Sequence, residues 1–198
     1  MDKEYRSFKS EVRATDSNGE KHITGYCVRF GEESRYIGFY ETIEQGAITQ
    51  DTIDKSDIMC LFNHDQDKVL GRSLNGVGNL RLTVDDKGVM YDCTLLDNEL
   101  AQTVRSYMEA GLVNESSFAF TLSEDEGADE WYRDPNGEVH RTIRKIGGIY
   151  DCSPVWSAAY ATTTAQCRGL EDFKKAEDEK KAEREKKYAQ ILEEIDKL

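Results

Sequence analysis

No stretch of this chain reaches the roughly 18 consecutive apolar residues that a membrane-crossing helix needs, and Met1-Asp2-Lys3-Glu4 has none of the apolar core of a secretory leader. The sequence is therefore expected to be soluble, to have no membrane partner and to stay in the cytoplasm of the cell that makes it. Positive charge is scarce as well: 26 Lys and Arg stand against 39 Asp and Glu, for a net charge of −13. Proteins that grip nucleic acid do so with clustered Lys and Arg that release phosphate counterions, so no nucleic-acid partner is expected. The five cysteines (Cys27, Cys60, Cys93, Cys152 and Cys167) are odd in number, widely spaced and contain no C-x-x-C pair. Neither a disulfide framework nor a zinc site fits that pattern, and reduced, mostly buried thiols are expected. Three scattered histidines and the lack of a Gly-rich phosphate loop point to no metal and no cofactor.

What the chain does have is alternation. Phe8, Val12 and Ala14 alternate in a segment from Tyr5 to Ala14 that runs to Asp16-Ser17-Asn18-Gly19, and Tyr26, Val28 and Phe30 share one face of the run that follows. Asn-Gly supplies the positive φ angles of a tight turn, so the chain opens with a β-hairpin. Tyr36 to Ile43 reads as a short strand, Gly46 to Lys55 as a short helix or turn, and Asp57 to His64 as a central strand, because apolar residues occupy both of its faces. A second hairpin joins Asn79–Val84 to Val89–Leu95, and the sheet is expected to be mostly antiparallel. Asp97 is expected to cap a helix over about Asn98–Ala110 that ends at Gly111. Leu112 to Phe120 is the next strand. Trp131 and Tyr132 pair with Val139, Arg141 and Ile143 in a protruding hairpin, and Pro154 confines the last strand, Ile149–Trp156, to a sheet edge or a bend. The fold class is mainly β with a few helices, α+β. After residue 168 charge dominates: 169–198 reads as a solvated helical tail with pairs such as Glu177–Lys181 and a thin stripe of Tyr188, Ile191, Leu192, Ile195 and Leu198, either a plain exposed helix or a partner-binding or removable appendage.

Three polar residues sit where rigid strands expose side chains: His64, Ser117 and Asp151. Serine attack on an amide needs a base for the hydroxyl proton, and the base needs an acid to hold its tautomer. On the Ser117 strand, Val113, Glu115, Ser117 and Ala119 share one face, and Ser116 shares the other with Phe118, which ranks Ser116 second as a nucleophile. Cys60 and Cys152 flank the proposed partners and read better as buried packing. His22 reads as solvated, and His140 as part of the protruding hairpin with no role in the chemistry.

Asn63-His64-Asp65 followed by Val69-Leu70-Gly71-Arg72, then Ser117-Phe118-Ala119-Phe120, then Tyr150-Asp151-Cys152-Ser153 resembles the prohead protease family of HK97-type tailed bacteriophages, over residues 5 to 168. The resemblance implies a closed or partly closed antiparallel β-barrel of the herpesvirus-assemblin type with flanking helices, a protease domain over 1–168, and a tail over 169–198 that is scaffold-like or removed by self-cleavage. It implies a serine endopeptidase of head maturation with His64 as base, Ser117 as nucleophile and Asp151 as the acidic member, where Glu is more usual. Ala119 stands where the family usually has glycine. The implied partners are the phage major capsid protein and its scaffolding segment, with self-association left open, inside proheads in the host cytoplasm. The alternative is a non-catalytic assembly protein that keeps the fold.

Overall fold

The computed structural model describes residues 3–8, 12–156 and 164–195, and the chain divides into two compact units, 1–161 and 162–198. The first unit begins with strands Glu4–Phe8 (β1), Arg13–Ser17 (β2), Glu20–Arg29 (β3) and Tyr40–Ile43 (β4), followed by the short helix Gln50–Asp54 (α1). Strands Asp57–Leu61 (β5), Val69–Leu74 (β6), Val77–Gly78 (β7), Leu80–Val84 (β8) and Gly88–Thr94 (β9) lead into helix Glu99–Glu109 (α2). Strands Glu115–Leu122 (β10), Asp129–Arg133 (β11), Val139–Ile143 (β12) and Ile146–Val155 (β13) complete the unit. The second unit is one helix, Thr164–Ile195 (α3), which runs through Gly169 and leaves Tyr188 and Ile191 exposed. Residues 157–163, and Leu198 of the apolar stripe, lie outside the described residues. No helix among them is long and apolar enough to cross a membrane.

The architecture is mainly β with three helices, an α+β fold. Six strands form one sheet in the order β1-β10-β13-β5-β6-β7, four form a second in the order β2-β3-β9-β8, and β11-β12-β4 form a third. Most pairs are antiparallel, but β13–β5 and β12–β4 are parallel. Among the described residues no single sheet closes on itself into a barrel.

The Asn18-Gly19 turn forms as its composition dictates, with φ of 52° and 81° between β2 and β3. The segment from Tyr5 to Ala14, however, is not one strand: β1 pairs with β10 and β2 with β3, so the chain changes sheets between them. The core lies between the six- and four-stranded sheets. Phe118, Phe120, Cys152, Ile58 and Cys60 from the first meet Ile23, Cys27, Leu80, Tyr91 and Cys93 from the second, with Ala101, Val104 and Met108 of α2 joining them. Asn98, not Asp97, caps α2, its side chain accepting from the Ala101 N–H at 2.9 Å.

Two further expectations change. Pro154 sits on an internal strand, β13 between β10 and β5, rather than at an edge. It is tolerated there because it lies next to the strand's last residue, beyond the single β13–β5 register pair, and needs only its carbonyl, which accepts from the Asn63 N–H at 3.2 Å. The β11–β12 hairpin does not stand alone, since β4 extends it, and Arg141 on β12 is buried. Its guanidinium and that of Arg6 share the carboxylates of Glu4 and Glu41, and Arg141 also reaches Asp129 at 2.7 Å.

Candidate active site

Three neighbouring strands, β10, β13 and β5, supply the three candidate residues, the last through the turn that leaves it. The register explains why two of them meet. Ser117 lies opposite Ser153, and Ala119 opposite Asp151, with no irregularity between these pairs. Directly paired residues share a face, so Ser117, Ala119, Asp151 and Ser153 form one surface, and Tyr5 and Ser7 of β1 join it from the other side of β10. Ser116 and Phe118 face the core, where the Ser116 hydroxyl meets the Tyr91 hydroxyl at 3.0 Å.

His64 arrives differently. Strand alternation puts it on the Cys60 and Phe62 side, towards the core, but β5 stops at Leu61, and Asn63 and His64 adopt φ of 56° and 59°. Two consecutive left-handed residues reverse the direction of the side chain. Such a conformation costs roughly 1–2 kcal/mol for a residue with a Cβ, less for Asn, and must be held by its surroundings. Here the Asn63 N–H donates to the Pro154 carbonyl, and the Asn63 Oδ1 accepts from the Trp156 N–H, both at 3.2 Å. The Tyr5 ring packs edge-on against the imidazole with centroids 5.0 Å apart.

His64 is thereby brought between the other two. Its Nδ1 lies 2.8 Å from Asp151 Oδ2, and its Nε2 lies 2.6 Å from Ser117 Oγ. With Asp151 ionised, the hydrogen-bond network assigns the proton of the neutral ring to Nδ1, leaving Nε2 to accept from the hydroxyl. Ser117 Oγ also lies 2.9 Å from the main-chain oxygen of Arg6, a second acceptor for the same hydrogen. Ser117 is 1% exposed, whereas the imidazole, at 23%, reaches solvent. Chemically the group is a hydroxyl, an imidazole and a carboxylate in hydrogen-bond order, an arrangement that can supply a nucleophile, a base and an orienting acid.

The remaining candidates lie elsewhere. Cys27, Cys60, Cys93 and Cys152 are free and buried. Burial, joined by the Cys27 thiol, pushes the Cys152 thiol well above its ordinary range; the Cys93 thiol and then burial do the same to Cys60, so neither is a ready thiolate. Arg72 forms a two-bond pair with Asp57 at 2.7 and 2.6 Å on the surface. His22 pairs with Asp92 at 2.7 Å. The His140 ring is stacked between Tyr40 and Tyr132, its Nδ1 faces Glu33 at 3.2 Å, and Asp134 and Glu138 lie within 4.8 Å as a grouping with metal-ligating atoms. Sequence reasoning passed over Tyr5, the Arg6 carbonyl and Ser153. Only Ser153 carried a signal, since its place two residues after Asp151 in a strand puts both on one face.

The model for the caudovirus prohead serine protease family matches residues 8–176, a span that holds His64, Ser117 and Asp151. Among solved structures, the bacteriophage T4 capsid assembly protease, gp21, superposes with a TM-score of 0.50 at 10% sequence identity, covering 78% of this chain and 98% of that one; at this identity the likeness is one of fold. No curated protein sequence gives a significant match. With the family match extending over most of its length, this chain belongs to the caudovirus prohead serine proteases.

Proposed function

We propose that this protein is the serine endopeptidase of phage head maturation, cleaving scaffold and capsid-protein segments, and itself, inside the prohead. His64 Nε2 takes the Ser117 proton as Oγ bonds to a substrate carbonyl carbon. The same nitrogen then hands that proton to the departing amine as the C–N bond breaks, and water, activated by His64, releases the acyl group from Ser117. Asp151 holds the imidazole in its Nδ1–H tautomer and stabilises the imidazolium. The observation that carries this reading is the unbroken run of two short contacts, 2.8 and 2.6 Å, from carboxylate through imidazole to hydroxyl. A substrate carbonyl must approach Oγ to about 3 Å, and Oγ is covered, so β1 or the His64 turn gives way when a peptide binds.

The same reading extends to the barrel. The six- and four-stranded sheets are linked by the chain between β1 and β2, and by the Asn79 amide, which donates to Leu70 and Thr94 carbonyls at 3.1 and 2.8 Å. We infer that together they make the partly closed assemblin-type structure.

Burial of Ser117 favours one competing reading, a non-catalytic assembly protein. Co-expression with the capsid protein followed by mass spectrometry separates them. The wild-type chain is expected to yield cut capsid protein, and Ser117→Ala to yield none; identical products from both would leave only the assembly role. A fluorophosphonate is expected to label Ser117 in the folded protein.

A further inference from the structure

Asp151 has a second oxygen. Oδ2 faces His64, while Oδ1 accepts a hydrogen bond from the hydroxyl of Ser153. Ser153 is fully buried, at 0% exposure, on the same face as Asp151 and directly opposite Ser117 in register. Its own oxygen is engaged from the other direction, accepting from the Leu61 N–H at 3.0 Å. A serine hydroxyl has one hydrogen. With a main-chain N–H arriving at the oxygen, that hydrogen goes to the carboxylate, and the direction of the whole chain is set: Leu61 N–H to Ser153 Oγ, Ser153 O–H to Asp151 Oδ1. Leu61 is the last residue of the strand from which the His64 turn departs, so the carboxylate is tied to the element that delivers its imidazole.

We infer that Ser153 is a positioning residue for the triad, acting through Asp151. This rests on the reading of His64, Ser117 and Asp151 as catalytic. The terminal torsion of an Asp side chain is broad and roughly two-fold, so one contact to His64 does not fix the carboxylate plane. The Ser153 hydroxyl supplies the second point, holding Oδ2 towards Nδ1. A serine that only satisfied the Leu61 N–H in the core would make no difference to the imidazole.

The test compares Ser153→Thr with Ser153→Val, which have the same shape and differ in the hydroxyl, by the rate at which a fluorophosphonate labels Ser117 in the full-length chain. The threonine form is expected to label about 10–100-fold faster than the valine form, the range typical when a partner that orients a functional ligand is lost. In an Asp151→Ala background the two are expected to label alike, because Ser153 then has no side-chain oxygen at position 151 to hold. Equal labelling of the two forms with Asp151 present overturns the inference, as does the same Thr-to-Val factor with Asp151 replaced. If the added methyl prevents folding, Ser153→Ala carries the comparison: a loss of about 10–100-fold with Asp151 present and none without it, an equal loss in both backgrounds overturning the inference. A wild-type chain that is not labelled at Ser117 overturns the triad itself, a distinguishable result.

Discussion

Replacing Arg141 by methionine takes one guanidinium out of a buried cluster in which two carboxylates are balanced by two arginines. Arg141 is 4% exposed and bonds Glu4 at 2.7 and 3.1 Å, Glu41 at 3.0 Å and Asp129 at 2.7 Å. Afterwards Glu4 and Glu41 share Arg6 alone. Breaking a buried ion pair from one side costs roughly 3–5 kcal/mol, chiefly because a charge is left in the interior uncompensated. For a chain of this size that lowers the melting temperature on the order of 10 °C. The pH dependence distinguishes this cause from lost packing. Burial pushes the Glu4 carboxyl upward, but hydrogen bonds and charge from Arg141 and Arg6 outweigh it and hold the group below its ordinary 4.5. A depressed carboxylate stabilises the fold above its unfolded pKa, and that contribution is lost as pH falls through the folded value. Without Arg141 burial dominates, the folded pKa rises above the unfolded one, and the variant regains stability on acidification. The difference between wild type and Arg141→Met, measured by urea unfolding with tryptophan fluorescence, is therefore expected to be largest near pH 7 and smaller at pH 5. A gap under about 1 kcal/mol at pH 7, the size of an exposed pair, or the same gap at both pH values, would refute the reasoning.

Asn63→Ala is expected to unfold at lower urea than Asn63→Gly: both lose the acceptor for the Trp156 N–H, but only alanine carries a Cβ at φ 56°, at a cost of about 1 kcal/mol. Gly71→Ala is expected to destabilise by roughly 1–3 kcal/mol in the same assay, because its methyl would stand 2.5 Å from Cys93 Sγ and press on the Asn79 amide that laces β6 to β9. Arg72→Ala, which breaks only the surface pair with Asp57, is expected to leave melting temperature and fluorophosphonate labelling unchanged; lost labelling at an unchanged melting temperature would place Arg72 at the substrate instead. Alkylation of the native protein, read by mass spectrometry, is expected to spare Cys27, Cys60, Cys93 and Cys152, all of which react in urea.

The features legible in the sequence are those that a local rule decides. Asn18-Gly19 has one low-strain use, so the first hairpin was readable, and period-two alternation separated Ser117 from Ser116 before any partner strand was known. Alternation failed at His64 because the strand ended three residues early and two left-handed residues reversed the side chain, a conformation that Asn and His adopt more readily than most residues but that neither announces. Long-range pairings were not legible either. Nothing local to Tyr5–Phe8 announces that it will flank the Ser117 strand, and nothing near Arg141 announces its partners, Glu4 and Glu41, 137 and 100 residues away. Pro154 misled because the rule about ladder donors concerns strands paired along both edges at that residue, and β13 has by then parted from β5.

The Ser117 hydroxyl has one hydrogen and two takers, the imidazole and the Arg6 main-chain oxygen. With that hydrogen turned to the Arg6 oxygen, Oγ offers Nε2 no proton, so the proposed nucleophile is armed only when its O–H points at the imidazole. Passing between the idle and the armed arrangement thus needs one bond rotation, at the speed of a side-chain flip. The first strand is in this sense the resting berth of the serine.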